Sequence, residues 1–349
     1  MEKLRIAVLF GGCSPEYEVS LQSAYSVITH MDKGRYEPAA FGITRTGEWF
    51  YFSGSPEKIK NDTWENPDEC VRAIISPSRE IHGALIIDGD VVRALRLDAA
   101  MPIIHGKNGE DGTVQGLLEL AGIPVVGSGA LASALCMNKD KANKIVATAG
   151  VPVPRSFTLR SGADAGVFLA QAARLGYPLF VKPVNAGSSY GISKVSSEDE
   201  MRAAIELAFE YDDEAIIEED IPGFEIGCAV LGNDDLIVGQ VDEIELSGGF
   251  FNFTEKYTLK TSAIHVPARI PEGKADEARD IARTIYRALG CTGFARVDMF
   301  LTPSGRIVFN EVNTIPGFTS HSRFPNMLKA IGMTFGQVVD KAIELAVGA

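Results

Sequence analysis

The sequence predicts a protein of mixed α/β and α+β structure, built from three successive units. Strand-like and helical runs alternate at the start, a compact strand–loop–strand–helix–strand segment follows, and the last third is rich in strands. With 349 residues, 46% of them hydrophobic, the chain is long enough for two or three domains with their own cores. The predicted units cover residues 1–135, 136–224 and 225–349.

The first unit is predicted from alternating strands and helices, which are typical of a parallel sheet covered by helices. A buried strand over 5–10 precedes a helix over 19–31, in which apolar residues recur at helical spacing. The other predicted elements are a strand over 100–104, a helix over 113–121 and a short strand over 123–126. Residues 55–88 are more polar, and we expect an irregular surface there.

The second and third units combine strands with glycine-rich and acidic segments. The stretch PLFVKPVNAGSSYGISKV predicts two strands joined by a loop, and residues 198–221 predict a helix followed by another strand. In the third unit, the predicted elements are strands over 226–231, 236–241, 294–301 and 306–312, and a helix over 274–289.

Composition excludes several classes of partner. The net charge of -13 argues against nucleic acid or an anionic membrane as a partner. Five scattered cysteines without a CxxC motif indicate thiols in a reducing compartment. We expect neither a signal peptide nor a membrane span, since no run of about 18 apolar residues occurs. The expected location is the cytoplasm.

The turn after the first strand, GGCSPEYE, is rich in glycine but is followed by no lysine. Such a turn between a strand and a helix is typical of phosphate binding. Here the first charges beyond it are the carboxylates of Glu16 and Glu18. We therefore expect the turn to place Glu16 at a helix start, where the helix dipole favours a negative charge.

The stretch GFARVDMFLTPSGRIVFNEVN predicts a β-hairpin with one polar face. A hairpin centred between Ser304 and Gly305 pairs Asp298 with Glu311. The same hairpin pairs Arg296 with Asn313. Two carboxylates and an amide oxygen then converge beside one guanidinium, and oxygen ligands of this kind suit magnesium. A surface ladder of salt bridges is the alternative that the spacing leaves open.

A second candidate site is the loop in VKPVNAGSSYG. Its backbone N–H groups and the Lys182 ammonium could cradle phosphate oxygens, although the lysine precedes the glycines and the loop is no Walker motif. Lys139, Glu218 and Glu225 are further candidates, the carboxylates for an adenine amino group and ribose hydroxyls. When each feature is considered alone, the loop is explained equally well as a plain hairpin turn. The charged residues are then explained as solvated surface charges.

Together these motifs resemble the ATP-grasp fold and, within it, the D-alanine–D-alanine ligases. The resemblance covers nearly the whole chain, with an N-terminal parallel-sheet domain, a central α+β lid domain and a C-terminal α+β domain. The motifs that carry it occur in family order: LFGGCSPEYEVSL, HGKNGEDGTVQGLLELAGIPVVGSG, MNKDK, KPVNAGSSYG, EKY, RVDMF and NEVNTIPGFTSHSRFP.

The resemblance implies an enzyme in which ATP phosphorylates the carboxylate of one D-alanine and the amine of a second D-amino acid attacks the acyl phosphate. It implies ATP and two magnesium ions as cofactors, with manganese as a substitute, and a loop over 245–260 that excludes water. The implied phosphate ligands are Lys139, Lys182 and Lys256, with Glu218 and Glu225 at adenine and ribose. The implied magnesium ligands are Asp298, Glu311 and Asn313. The implied oxyanion donors are Arg296 and the Gly317 N–H. A hydrogen-bonded triad is implied for Glu16, Ser188 and Tyr257. The implied ligands of the first D-alanine are Glu16 and His105.

The second substrate is predicted from two charged residues where housekeeping ligases usually place none. After the TSHS motif, whose Ser322 is an implied substrate ligand, this chain has Arg323 instead of an apolar residue. Asp242 is the other such position. A hydroxyl can donate to a carboxylate and accept from a guanidinium, so we expect D-serine. The chain is also similar to the VanG-type D-alanine–D-serine ligases of vancomycin resistance.

Several alternatives remain open at this stage. Arg323 on the rim of the site would leave D-alanine as the second substrate. D-Lactate is disfavoured because Tyr257 stands where its ligases carry a histidine. A nucleotide-binding regulator and a ligase for L-amino acids are further hypotheses, against which the intact motifs argue. By resemblance, the expected assembly is a homodimer.

Overall fold

The first seven strands build a mixed sheet against three helices. The computed structural model describes residues 3–187, 190–246 and 262–348. The elements of the first unit are β1 (Leu4–Gly11), α1 (Tyr17–His30), β2 (Tyr36–Ile43), β3 (Trp49–Phe52), α2 (Pro56–Lys60), β4 (Cys70–Ile75), β5 (Gly83–Asp88), β6 (Val91–Arg96), β7 (Ala99–Pro102) and α3 (Thr113–Ala121). The strand order is β6-β5-β4-β3-β2-β1-β7.

Only part of this sheet is parallel. β1 pairs in parallel with β2 and β7, whereas every pairing from β2 to β6 is antiparallel. The prediction of an irregular surface over 55–88 is therefore wrong, because β4 and β5 lie there. Their signal is weak since each strand buries only one face: Ala73 and Ile75 are buried in β4, while Ile74 remains 47% exposed.

The predicted strand over 123–126 is also wrong. This segment makes a single parallel bridge, from Val125 to Ala100. The Ala100 N–H donates to the Pro124 carbonyl, and the Val126 N–H donates to the Ala100 carbonyl. Pro124 has no N–H with which to extend the ladder.

The central part of the chain forms a second, antiparallel sheet packed on two helices. Its elements are α4 (Ala130–Met137), α5 (Lys139–Thr148), β8 (Ser156–Arg160), α6 (Ala165–Leu175), β9 (Leu179–Pro183), β10 (Ser193–Val195), α7 (Glu198–Phe209) and β11 (Glu214–Glu219). The strand order is β10-β9-β11-β8. The strand, loop, strand, helix and strand predicted for this region are confirmed.

The last part of the chain adds a third sheet and three helices. Its elements are β12 (Phe224–Leu231), β13 (Ile237–Val238), β14 (Asp242–Leu246), β15 (Ser262–His265), α8 (Glu272–Ala288), β16 (Phe294–Leu301), β17 (Ile307–Asn313), α9 (Arg323–Lys329) and α10 (Phe335–Val347). The main strand order is β15-β14-β12-β16-β17, with β13 beside β12. The single strand predicted over 236–241 is wrong, because Gly239 bends away to meet Met327 of α9.

A shared apolar core joins the first and last parts of the chain. Phe318, Phe324 and Val338 pack in one cluster with Val8 and Met101 of the first sheet. The three rings of Phe294, Phe318 and Phe324 contact one another within it. This packing holds the loop between β17 and α9 against the carboxyl end of β7, where the site is built.

All five cysteines are free thiols, and three of them are buried. In the part of the chain that the structure describes, no helix is both long enough and apolar enough to cross a bilayer.

Candidate active site

The predicted hairpin is confirmed with its predicted pairs. In the ladder between β16 and β17, Arg296 stands opposite Asn313 and Asp298 opposite Glu311. Near the turn the pairing is instead centred on Ser304, and a β-bulge at Asn310 restores the predicted register. The polar side chains therefore share one face, while Val297, Met299 and Val312 lie in the core on the other.

These side chains belong to a row that crosses four strands. The row runs across the sheet in the order Asp242 of β14, Gly227 of β12, Asp298 of β16 and Glu311 of β17. Each of these residues stands opposite the next one. At the gap left by Gly227, the Arg323 side chain lies over the sheet. A β-carbon placed on Gly227 would lie 2.5 Å from Arg323 Nη2 and 2.7 Å from Asp242 Oδ1.

Arg323 is buried and carries hydrogen bonds to several carboxylates. Its Nε and Nη2 donate to the two oxygens of Asp242 at 2.7 and 2.8 Å, and its Nη1 donates to Glu225 Oε1 at 2.7 Å. Its Nη2 also lies 3.3 Å from Asp298 Oδ1. The alternative that places Arg323 on the rim is wrong, since only 8% of its side chain is exposed.

Replacing Gly227 by alanine is expected to lower the free energy of unfolding by about 1–3 kcal/mol, because the new methyl group overpacks the buried ion pairs. Gly273→Ala is the matched control: that residue lies in α8, and nothing approaches the position of its β-carbon. Urea denaturation of both variants tests the prediction. Equal stability of Gly227→Ala and the wild type would contradict the packing described.

Asp298 is a buried carboxylate of the row with donors on both of its oxygens. Arg296 Nε lies 2.9 Å from both of its oxygens, Arg296 Nη2 donates to Oδ2 at 2.7 Å, and Asn313 Nδ2 donates to Oδ2 at 2.9 Å. Asn313 Nδ2 also lies 3.5 Å from Glu311 Oε1. The three predicted magnesium ligands are thus brought together under one guanidinium.

The donor set fits a magnesium ion that is completed by phosphate oxygens. Among the described residues, no group of three or more histidine, cysteine or acidic side chains could hold a metal alone. Two carboxylates and one amide oxygen are nevertheless what Mg²⁺ takes from a protein when a nucleotide supplies the rest of its shell. Asp298, Glu311 and Asn313 would hold the ion.

The predicted nucleotide ligands lie between the second and third sheets. Lys182 at the end of β9 donates to Glu218 Oε2 of β11 at 2.6 Å, and Asn143 of α5 donates to the other Glu218 oxygen at 2.9 Å. Lys139, the first residue of α5, donates to the Ala186 carbonyl at 2.6 Å. Both ammonium groups therefore flank the loop that was predicted to cradle phosphate. Lys256 lies outside the described residues.

Glu16 stands at the predicted place, immediately before α1, and is buried. Two glycines approach its carboxylate with bare backbone: β-carbons placed on Gly106 and Gly187 would lie 2.7 and 3.2 Å from Glu16 Oε2. Gly187 belongs to the loop of the central sheet, so this loop closes over Glu16. Ser188 and Tyr257, the other predicted members of the triad, lie outside the described residues.

His105 and Glu110 flank Glu16 on the turn after β7. The ring of His105 is buried, with Nδ1 2.9 Å from the Ile315 carbonyl and Nε2 3.3 Å from Ser23 Oγ, and burial lowers its pKa. Burial, together with the Glu16 carboxylate, raises the pKa of Glu110 to about 8. A bound cation would lower this pKa again, because an opposite charge favours the ionised carboxylate.

Glu110 is the residue that the sequence analysis missed. It lies inside the motif HGKNGEDGT, yet no role was assigned to it. Its contact with Ile315 spans 205 positions, so local spacing could not reveal it. An acidic residue four positions after a glycine in a tight turn was the available signal.

The loop that carries Gly317 is held by serine hydroxyls. The Phe318 N–H donates to Ser23 Oγ at 3.3 Å, and the Thr319 N–H donates to Ser322 Oγ at 3.2 Å. A β-carbon placed on Gly317 would lie 2.9 Å from Ser322 Oγ. Gly317 and Ser322, both predicted site residues, are therefore neighbours at the entrance to α9.

The site as a whole offers three chemically distinct regions. Lysines beside a glycine loop can hold phosphates, the carboxylate row with Arg296 can hold a cation and a developing negative charge, and the buried Glu16 can hold an ammonium. Such a set suits transfer of a phosphoryl group to a substrate that carries an amine.

Comparison with known proteins agrees with this chemistry. Family models described as "D-ala D-ala ligase N-terminus" and "D-ala D-ala ligase C-terminus" match residues 5–128 and 145–344. The D-alanine–D-alanine ligase A of Escherichia coli is 41% identical over 99% of this chain and 96% of the relative. The vancomycin B-type resistance protein VanB of Enterococcus faecalis is 44% identical over 99% of each chain.

A solved structure matches both sequence and fold. The crystal structure of the VanG D-Ala:D-Ser ligase from Enterococcus faecalis has 56% sequence identity and a TM-score of 0.93, over 99% of this chain and 100% of that one. The resemblance inferred from the motifs is thereby confirmed. The chain belongs to the D-alanine–D-alanine ligase family and is an ATP-dependent ligase that forms peptide bonds.

Proposed function

We propose that the chain joins D-alanine to D-serine through a D-alanyl phosphate, giving D-alanyl-D-serine for the modified peptidoglycan precursors of vancomycin resistance. The observation that carries this proposal is the buried pair of Arg323 and Asp242 next to Asp298. A site for a methyl group needs neither charge. The D-serine hydroxyl can accept from the Arg323 guanidinium and donate to the Asp242 carboxylate, whereas the methyl group of D-alanine can do neither.

The binding roles in this proposal are those that the family resemblance implies, and the positions of the described residues support them. Lys139 and Lys182, with Lys256, hold the ATP phosphates, while Glu218 and Glu225 contact adenine and ribose. Asp298, Glu311 and Asn313 would hold two magnesium ions, which would supply positive charge for the phosphates, and manganese could substitute. We propose that this machinery is divided into domains at residues 135 and 224, with residues 245–260 as the lid, and that the protein acts as a homodimer.

The roles in the chemical step are assigned to a second group of residues. Glu16 takes the ammonium of the first D-alanine, and Ser188 and Tyr257 link it to the lid. His105 lies beside that substrate, and Ser322 lies at the second one. Arg296 and the Gly317 N–H stabilise the oxyanion of the tetrahedral intermediate, and preorganised donors of this kind are worth about 3–4 kcal/mol each.

Release of phosphate from ATP tests the proposed activity. We expect release to depend on D-alanine and to rise further when D-serine is added with it. Consumption of no ATP with any pair of D-amino acids would refute the proposal. A greater stimulation by additional D-alanine than by D-serine would instead favour the alternative, a housekeeping D-alanine–D-alanine ligase, which is what the name of the E. coli relative states.

Glu16→Gln is expected to raise the KM for the first D-alanine by about 10- to 100-fold, since a hydrogen bond to a charged group contributes roughly 1.5–3 kcal/mol. Glu18→Gln is the control, because Glu18 pairs with Arg45 at the surface. Steady-state kinetics at saturating ATP measure both variants. An unchanged KM and kcat in Glu16→Gln would remove Glu16 from the substrate site.

A further inference from the structure

Both backbone polar groups of Ile315, its N–H and its carbonyl, are bound by one turn of the first unit. His105 Nδ1 donates to the Ile315 carbonyl at 2.9 Å. The Ile315 N–H donates to Glu110 Oε1 at 3.3 Å. Two side chains of the turn after β7 therefore hold a loop that follows β17, and Ile315 lies two residues before Gly317.

The Glu110 carboxylate is itself fixed by the turn that carries it. Its Oε2 accepts from the Gly106 N–H at 2.8 Å, and its own N–H donates to the Gly106 carbonyl at 2.8 Å. A β-carbon on Gly109 would lie 1.9 Å from the Ile104 carbonyl oxygen, so only glycine allows this close turn. One oxygen of Glu110 thus anchors the carboxylate, which leaves the other for Ile315.

The far side of Gly317 is held by the same group of residues. Because a carbonyl oxygen can only accept, His105 carries its proton on Nδ1, and its lowered pKa favours the neutral ring. The bare Nε2 then accepts from the Ser23 hydroxyl at 3.3 Å, and Ser23 Oγ accepts from the Phe318 N–H at 3.3 Å. Gly317 therefore lies between Ile315 and Phe318, and the backbone N–H groups of both residues are bound.

We propose that Glu110 is a positioning residue. With His105 it holds the backbone of Ile315 by two hydrogen bonds, here called the clasp, and thereby orients the Gly317 N–H toward the reacting centre. The inference rests on the proposed function, in which Gly317 is an oxyanion donor. Glu110 suits the task because its carboxylate, once a bound cation lowers its pKa, offers acceptors on both oxygens. The amide of a glutamine has only one acceptor oxygen, so one of the two N–H groups would then face an NH₂ group.

The test compares Glu110→Gln and Glu110→Ala with Asp111→Asn. Asp111 is a matched control because, within the described ranges, its carboxylate accepts from the N–H groups of Asn108 and Thr113 in the same turn. We expect kcat to fall about 10-fold in Glu110→Gln and about 100-fold in Glu110→Ala, since a misplacement of about 1 Å can cost 10²-fold. The KM for ATP should stay within about twofold in both variants, because none of the proposed ATP ligands belongs to the clasp.

Each outcome bears on a different claim. A wild-type protein without ligase activity would refute the proposed function itself and not the clasp. With an active wild type, an unchanged kcat in both Glu110 variants would overturn the inference. So would an equal loss in Asp111→Asn, which would assign the effect to the turn as a whole, or a rise in the KM of D-alanine at unchanged kcat. If Glu110→Ala does not fold, as thermal unfolding would reveal, Glu110→Gln alone decides.

Discussion

Arg323→Leu is expected to lower the free energy of unfolding by about 3–5 kcal/mol, because removing one partner of a buried ion pair leaves the other charge uncompensated. The carboxylate affected most is that of Asp242, which is fully buried and accepts two hydrogen bonds from Arg323. Urea denaturation monitored by fluorescence measures the loss. In the enzyme that remains folded, we expect the ratio of kcat/KM for D-serine to that for D-alanine to fall.

Two further variants separate the ion pair from general effects. Arg72→Leu is the control, since Arg72 pairs with Glu48 and both side chains are more than half exposed, and such surface pairs contribute about 0–1 kcal/mol. Combining Arg323→Leu with Asp242→Ala should restore part of the stability, because the orphaned charge is gone. Strict additivity of the two substitutions would contradict direct coupling. An unchanged substrate ratio in Arg323→Leu would exclude the pair from recognition of D-serine.

Arg296→Ala is expected to lower kcat about 10²- to 10³-fold, the usual cost of removing one donor to a developing oxyanion. The guanidinium also supplies the close contacts to Asp298, so its loss frees the carboxylate that is proposed to bind magnesium. Steady-state kinetics with saturating ATP and magnesium measure the change. Arg306→Ala, at the exposed turn of the same hairpin, is the control and should keep the wild-type kcat.

A wild-type kcat in Arg296→Ala would contradict the assignment of this residue to the transition state. A loss that high magnesium concentrations fully reverse would instead assign Arg296 to the metal site alone. Arg296→Lys is informative here, because lysine keeps the charge but not the planar fork.

The parts of the fold that the sequence predicted best are those set by local periodicity. The pairs Asp298–Glu311 and Arg296–Asn313 followed from alternation in two strands joined by a short turn, and the structure confirms them. The helix over 113–121 begins and ends as predicted, since a glycine flanks each end. Hydrophobic periodicity and turn-forming residues are properties of neighbouring positions, so they can be recognised without knowledge of the tertiary structure.

The failures arise where distant parts of the chain decide the outcome. The two strands between residues 55 and 88 bury too few side chains to stand out, and the sheet that pairs them is not visible in the segment itself. The bond between Arg323 and Asp242 spans 81 positions, and its room is made by Gly227 on a third strand. Comparison with the family pattern singled out both charged residues, but their direct contact is visible only in the structure.

The clasp on Ile315 has the same origin. His105, Glu110 and Ser23 meet the loop after β17 because a shared apolar core brings the two ends of the chain together. In the proposed mechanism, the geometry of the oxyanion donor is thus set by a unit distant in sequence. This dependence explains why the motif HGKNGEDGT carries residues that need not touch the substrate.

The most direct test of the central claim is analysis of the products formed with ATP, magnesium and an equimolar mixture of D-alanine, D-serine and D-lactate. We predict that D-alanyl-D-serine is the main product at neutral pH, with D-alanyl-D-alanine as a minor one and no depsipeptide. Mass spectrometry of the mixture distinguishes all three. Predominance of D-alanyl-D-alanine would contradict the assignment of Arg323 and Asp242 to a hydroxyl-bearing substrate.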